Sequence, residues 1–165
     1  MTDLLVRAYA TISEDGLYRY RLERFWSGEH ALPFVMLNPS TADAETDDPT
    51  IRRCIGFARR ERAGGIIVAN LFGLRATNPR SLSVAKDPFG PENAINLDCI
   101  AGFAFRSGMP IVAAWGGGSI RSASIKAMTI FKRNGCRVVC LGKTKHGFPR
   151  HPLYVRADQP LEPFS

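Results

Sequence analysis

The residues best suited to chemistry lie in short polar or glycine-rich clusters, each just behind an apolar run. Asn38-Pro39-Ser40-Thr41-Ala42-Asp43 follows residues 33–37, and Asn70 closes residues 66–70. Trp115-Gly116-Gly117-Gly118 closes the run that starts at Ile111, and a basic stretch from Lys143 through Arg150 to His151 follows residues 137–141. A side-chain amide carries paired donors and acceptors, so Asn70 is a candidate for reading the edge of a heterocycle, or else for satisfying loop backbone. Asp43, Asp47 and Asp48 bring carboxylates that hold a cation or take a proton from water. They serve equally to solvate a loop, and Asp48 before Pro49 has the place of a helix N-cap. His151, held beside Pro152, suits proton or hydrogen-bond chemistry, with an ordinary surface histidine as the alternative. The glycines 116–118 can cradle an anion ahead of a helix, although they form neither a P-loop nor a G-x-G-x-x-G fingerprint.

Other site chemistries lack their residues. His30, His146 and His151 have no H-E-x-x-H spacing, and no Ser-His-Asp order or nucleophile elbow is recognisable. Cys54, Cys99, Cys136 and Cys140 form no C-x-x-C pair, so reduced structural thiols are expected, with no metal and no cofactor. The formal net charge is +7, and Arg52, Arg53, Arg59, Arg60 and Arg62 crowd one short segment. That segment faces phosphates or is simply a solvated helix face. The apolar runs are much shorter than the ~20 residues a bilayer needs. The N-terminal residues lack signal-peptide features, so the cytosol is expected and a membrane partner is not.

Positioning these clusters requires a strand-and-helix alternation. Residues 6–12 and 17–25 alternate in polarity around Glu14-Asp15-Gly16, which predicts an N-terminal β-hairpin. Residues 33–37 predict a strand, and Pro39 turns the chain out at Asn38. A helix follows from Asp48-Pro49 to Gly64-Gly65, then a strand at 66–70. Residues 71–91 form a long loop, residues 92–105 a helix, and 111–115 a strand. A helix at 120–133 and a strand at 137–141 come next, with a last short strand at 153–155. Strand, helix, strand with short links gives parallel pairing. The expectation is one α/β domain over residues 1–165, with hairpin and loop at 1–32 and core at 33–155. Its architecture would be a three-layer α/β/α sandwich with a mainly parallel central sheet. The polar clusters then fall at carboxyl ends of strands, where open α/β sheets form their ligand crevice.

Asn38-Pro-Ser-Thr-Ala-Asp43, Asp47-Asp-Pro-Thr-Ile-Arg-Arg-Cys54, Asn70-Leu-Phe-Gly-Leu-Arg-Ala-Thr77, Ala114-Trp-Gly116 and Pro149-Arg-His-Pro-Leu-Tyr154 together resemble the domain-of-unknown-function family numbered 1643. The resemblance covers nearly the whole chain and implies a bacterial or phage origin, but no reaction. A looser one is to the uracil-DNA glycosylase superfamily, with Met36-Leu-Asn-Pro-Ser40 in the place of its Gly-x-Asn-Pro-Gly strand end. Met36 and Ser40 depart from that motif's glycines, and His151-Pro-Leu-Tyr154 departs from its usual His-Pro-Ser. This second resemblance implies that Asn38 places an attacking water, Asn70 reads a base, and His151 contacts base and sugar.

The expected function is therefore recognition of a base within a nucleotide or nucleic acid, with N-glycosidic hydrolase chemistry. Asn38 would position water with Asp43 or Asp47 as base, and His151 would stabilise the departing base. Pro39, Ser40, Asn70, Phe72, Trp115 and Gly116 would surround the substrate, and Arg52, Arg53, Lys143 and Arg150 would supply positive charge. The alternatives are a non-catalytic module that binds a nucleotide or a protein, and a hydrolase of a free nucleoside-like metabolite.

Overall fold

The computed structural model describes residues 7–28, 30–118 and 120–165. Val6 and Glu29, assigned above to the first strand and the next loop, lie outside the described residues, as do residues 1–5 and 119. β1 (Arg7–Ile12) and β2 (Arg19–Phe25) form the expected antiparallel hairpin. Its turn is built from local polar chemistry: Ser13 donates to Asp15 Oδ1, which also accepts from Leu17 N–H, and Gly16 takes a positive φ of 74°. Then come β3 (Ala31–Met36), α1 (Pro49–Arg60) and β4 (Gly65–Asn70). They are followed by α2 (Arg80–Val84), α3 (Asn93–Ser107) and β5 (Ile111–Ala113). α4 (Arg121–Arg133), β6 (Val138–Cys140) and β7 (Glu162–Pro163) complete the mixed α/β chain. Among the described residues no helix is long and apolar enough to cross a membrane.

The strands join one seven-stranded sheet in the order β1-β2-β4-β3-β5-β6-β7. The four inner strands run parallel, because helical crossovers separate them in sequence. The hairpin adds to β4 antiparallel and β7 adds to β6 antiparallel. The sheet is thus mixed, with as many antiparallel as parallel pairings, which corrects the mainly parallel expectation.

Side chains alternate across the strands, so the inner strands β3, β4 and β5 each feed two apolar clusters. Val35, Ile67, Ala69 and Ala113 pack with Leu97, Ile100 and Ala104 of α3 and Ala127 and Phe131 of α4. Leu32, Phe34, Ile66, Val68 and Val112 pack with Ile51, Cys54, Phe57 and Ala58 of α1. At the start of α1, Asp48 Oδ1 accepts the Ile51 N–H at 2.9 Å and Pro49 occupies the first turn.

Several local expectations are corrected. Residues 152–154 form a 3-10 helix rather than a strand, capped by His151, and the last strand is β7. α1 stops at Arg60 with Glu61 as C-cap, and Arg62 takes the left-handed turn with φ 59°. Gly64 is there for space: a Cβ on it would lie 1.5 Å from the Ser27 carbonyl oxygen. Residues 71–91, expected as a loop, include the helix α2, and their start is laced to the end of β3 by Leu71 N–H to Met36 O and Phe72 N–H to Leu37 O.

Candidate functional site

The order of the inner parallel strands reverses direction at β3 and β5, since the chain first adds β4 on one side of β3 and later β5 on the other. Connections leave that point in opposite senses and open a crevice beyond the strand ends. A cavity of about 500 Å³ lies there. Its wall includes Met36, Leu37, Asn38 and Ser40 after β3, and Trp115, Gly116 and Gly117 after β5. Thr144, Arg150, His151, Leu153 and Tyr154 come from the segment after β6, and Ala76, Thr77 and Pro79 from that after β4. Asp48, Thr50 and Ile51 at the start of α1 and Arg19 of β2 complete it.

Backbone bonds tie these loops together. Ala76 N–H donates to Pro39 O and Gly116 N–H to Pro149 O, joining β3 to β4 loops and β5 to β6 loops. Asn38 Nδ2 adds two donations, to Pro39 O at 3.0 Å and Ala76 O at 2.7 Å. Both amide hydrogens therefore meet carbonyls, which fixes the amide so that Oδ1 is the acceptor left over. Among the described residues nothing donates to that oxygen. His151 Nδ1 accepts the Leu153 N–H at 3.2 Å, so the neutral ring carries its proton on Nε2. Burial pushes its pKa below the usual histidine value, with the Asp48 charge opposing. At neutral pH the ring is then a hydrogen-bond donor through Nε2 and not a cation. Asp48 uses Oδ1 as the cap, and no donor among the described residues reaches Oδ2. Tyr154 stands at the mouth, 78% exposed, with its ring centroid 5.5 Å from that of His151.

Of the residues singled out from sequence, Asn38, Ser40, Asp48, Trp115, Gly116, Gly117, Arg150 and His151 line this cavity. The others do not. Pro39 is buried behind the loop. Asp47 accepts from Arg24 Nε at 2.8 Å, and Asp43 Oδ1 accepts from Glu45 and Thr46 N–H. Those two backbone bonds hold the Asp43 carboxyl below its ordinary pKa, which weakens it as a base. Phe72 packs on the opposite face of the sheet with the α3–α4 cluster. Arg53 donates to the carbonyls of Pro152 and Val155 and pins the 3-10 helix, and Arg52 donates to Asp47 O. Lys143 is exposed, with its carbonyl accepting from Arg150 Nε. Asn70 is 1% exposed, and neither side-chain polar atom has a hydrogen-bond partner.

Arg19 and Tyr154 line the cavity without having been expected there. Asp48 was expected as a carboxylate for water or a cation and also as a helix cap, and it lines the cavity while capping α1 through Oδ1. Arg19 sits in an alternating hairpin strand, where the pattern predicts outward arginines. The pairing slips where Ile12 faces Arg19, and β2 is buried along nearly its whole length, Arg19 and Arg24 included. Among the described residues no group of three His, Cys, Asp or Glu side chains is placed to share a metal ion. The cysteines are free thiols, with Cys99 exposed.

Neither curated proteins nor solved structures give a match to this chain. A family model does match, over residues 19–153, and so takes in every cavity-lining residue except Tyr154. With that span, the chain belongs to the family described as protein of unknown function DUF1643.

Proposed function

We propose that the cavity at the β3–β5 switch point binds a nucleotide or nucleoside-like ligand and hydrolyses its N-glycosidic bond. The observation that carries this reading is a set of three side chains on one cavity, Asn38, Asp48 and His151. Each has one end held by backbone and another without a protein partner among the described residues. The volume is within the ~300–1,000 Å³ of small-molecule sites, and Trp115 and Tyr154 offer ring surfaces for a planar ligand. In this mechanism Asn38 Oδ1 orients a water and the Asp48 carboxylate takes its proton. The water oxygen bonds to the sugar carbon as the C–N bond breaks, and the electron pair leaves with the base. The His151 Nε2–H then donates a hydrogen bond to the base anion, the kind of stabilisation most effective where charge develops. Asp48 replaces Asp43 and Asp47 as the base, since it alone of the three lines the cavity, while Arg24 and loop backbone hold the other two away from it.

The looser glycosylase likeness and a three-layer architecture belong to this proposal. They are supported by Asn38 and His151 sharing the cavity, and by apolar clusters drawing α1 and the α3–α4 pair to alternate strand residues. Binding without turnover is the second reading, favoured by the engagement of both expected bases. The test is mass-spectrometric detection of free base after incubation with nucleosides, nucleotides, DNA and RNA, normal and modified. Release by the wild type and not by Asn38→Ala or His151→Ala supports hydrolysis. Saturable binding with no release from any substrate sinks it in favour of the binding module.

A further inference from the structure

Two arginines of β2 are almost wholly buried, and they differ in what they meet. Arg24, 1% exposed, donates through Nε to the Asp47 carboxylate, through Nη1 to Glu23 O and through Nη2 to the Asp43 and Thr46 carbonyls. Its charge and its geometry are both answered within the chain. The Arg19 side chain, in a residue 2% exposed, makes one hydrogen bond among the described residues, from Nη1 to the Ala42 carbonyl. Its Nε is buried without a partner, and no carboxylate forms a salt bridge with it among the described residues. A guanidinium carries five N–H donors in a rigid fork, so four of them lack a protein acceptor. Arg19 is nevertheless part of the cavity wall.

We propose that Arg19 is an oxyanion-binding residue on the cavity wall, and that the ligand carries a phosphate or carboxylate group which reaches it. A buried charge without a paired acceptor is costly, and the cost is removed when an oxyanion arrives with two oxygens in the guanidinium plane. Burial lowers the Arg19 pKa only to about 10, so the residue stays cationic at neutral pH. Asp48 and Asp43 attract it from a distance, while Arg75 and Arg24 oppose them. The surroundings therefore leave its charge without a dedicated counterion. Arg150, on the same wall, uses Nε on the Lys143 carbonyl and keeps its other donors for a second contact. The assignment rests on the cavity being a ligand site, and not on hydrolysis.

The experiment follows the Arg19 Nε–H resonance of the full chain by ¹⁵N nuclear magnetic resonance, assigned with Arg19→Lys. Probes are inorganic phosphate, acetate, and a nucleoside beside its 5′-monophosphate, each against chloride at equal ionic strength. The expected result is a saturable shift with an oxyanion and none with chloride, and affinity about tenfold or more weaker in Arg19→Lys, the loss of one charge-assisted contact. A shift with phosphate and monophosphate but not acetate names a phosphate; the converse names a carboxylate. No saturable shift with any oxyanion, or equal affinity in Arg19→Lys, overturns the assignment. Arg19→Lys lacks that resonance, so its affinity is read by isothermal calorimetry beside the wild type, and should it misfold the wild-type titration stands without it. Saturable oxyanion binding with no base release leaves Arg19 standing and removes the hydrolase. Base release with an unchanged KM in Arg19→Lys does the reverse.

Discussion

Asp48 has two jobs that one pair of substitutions separates. As N-cap it needs only an acceptor oxygen, since Oδ1 meets the Ile51 N–H at 2.9 Å. As a base it needs the carboxylate charge. Asp48→Asn keeps an acceptor of nearly equal capping quality and removes the charge, whereas Asp48→Ala removes both. Losing the cap costs about 1 kcal/mol, with a range of roughly 0.5–2. For a chain of this size that lowers Tm by about 2–4 °C per kcal/mol. Asp48→Ala is therefore expected to melt a few degrees early, and Asp48→Asn close to the wild type. Removing a general base slows the chemical step by roughly 10²–10⁴-fold, so both variants should lose base release to that extent. Calorimetry and the release assay on the same preparations read the two jobs separately. Asp48→Asn with wild-type release would refute the base and leave Asp48 a cap alone. Asp48→Asn melting as early as Asp48→Ala would refute the cap, because the charge and not the acceptor would then hold the helix start.

His151 has a folded pKa below its ordinary 6.5, chiefly through burial. Its neutral form is favoured in the folded state, so the stability it allows is complete above pH 6.5 and is lost as pH falls through the folded value. His151→Gln is expected to lose less stability than the wild type between pH 7 and 5 by urea denaturation; equal losses would mean the ring is not buried as described. Asn38→Asp should be worse than Asn38→Ala for stability, by about 1–3 kcal/mol. It sets carboxylate oxygens against the Pro39 and Ala76 carbonyls where Nδ2 donated. The reverse order in thermal melts would mean that the amide faces the other way. Gly64→Ala places a methyl against the Ser27 backbone and should cost at least the ~1–3 kcal/mol of an overpacked site. Gly147→Ala meets no atom within 4 Å and bears only its φ of 83°, about 1–2 kcal/mol. Equal melting shifts for the two would contradict the close approach.

The sequence was most legible where a residue's local pattern and its tertiary role coincide. Asp48-Pro49 declared the start of α1, and alternation around Asp15-Gly16 declared the hairpin, because both signals are satisfied within a few residues. The polar clusters at strand ends located the crevice, since parallel crossovers leave the carboxyl ends on one side of the sheet. What stayed hidden depends on long-range geometry. Glu162-Pro163 is too short to show a period, and it is a strand only through pairing with Val139 and Cys140. Residues 153–155 have strand-like composition, but Pro152 and the His151 cap set a helical turn there. Asp43 and Asp47 looked as available as Asp48. Arg24, buried by the sheet, takes the Asp47 carboxylate, loop N–H groups take that of Asp43, and Asp48 alone of the three lines the cavity. The burial of Arg19 comes from β2 being covered on both faces, which its alternation of arginines with apolar residues does not announce.

The fate of the α1 arginines bears on whether the ligand is a polymer. From sequence they form a basic stripe fit for a phosphate backbone. In the fold, Arg53 donates to the carbonyls of Pro152 and Val155, and Arg60 to those of Ala157 and Gln159. Arg52 donates to Asp47 O, and the Arg59 guanidinium lies over the Trp26 ring. An irregular C-terminal segment has carbonyls that no ladder satisfies, and these side chains supply their donors. Their charge remains, but Arg53 and Arg60 already direct two donors or more into the chain. Each duplex phosphate neutralised adds about 0.9 to the slope of log affinity against log salt, so a backbone-tracking stripe of several arginines gives a slope of −4 or steeper. A small ligand held by Arg19 and Arg150 gives a much shallower one, no steeper than about −2 by the same count. Measured by fluorescence anisotropy on labelled DNA beside a labelled mononucleotide, the expectation is tighter binding of the mononucleotide and a shallow slope for it. Arg53→Ala should lower Tm, because hydrogen bonds from a charged donor are worth about 1.5–3 kcal/mol, and should loosen His151 and Tyr154 with the 3-10 helix they share. A steep slope on DNA that Arg53→Ala reduces by one unit, with Tm unchanged, would place a nucleic acid on α1 and refute the intramolecular role.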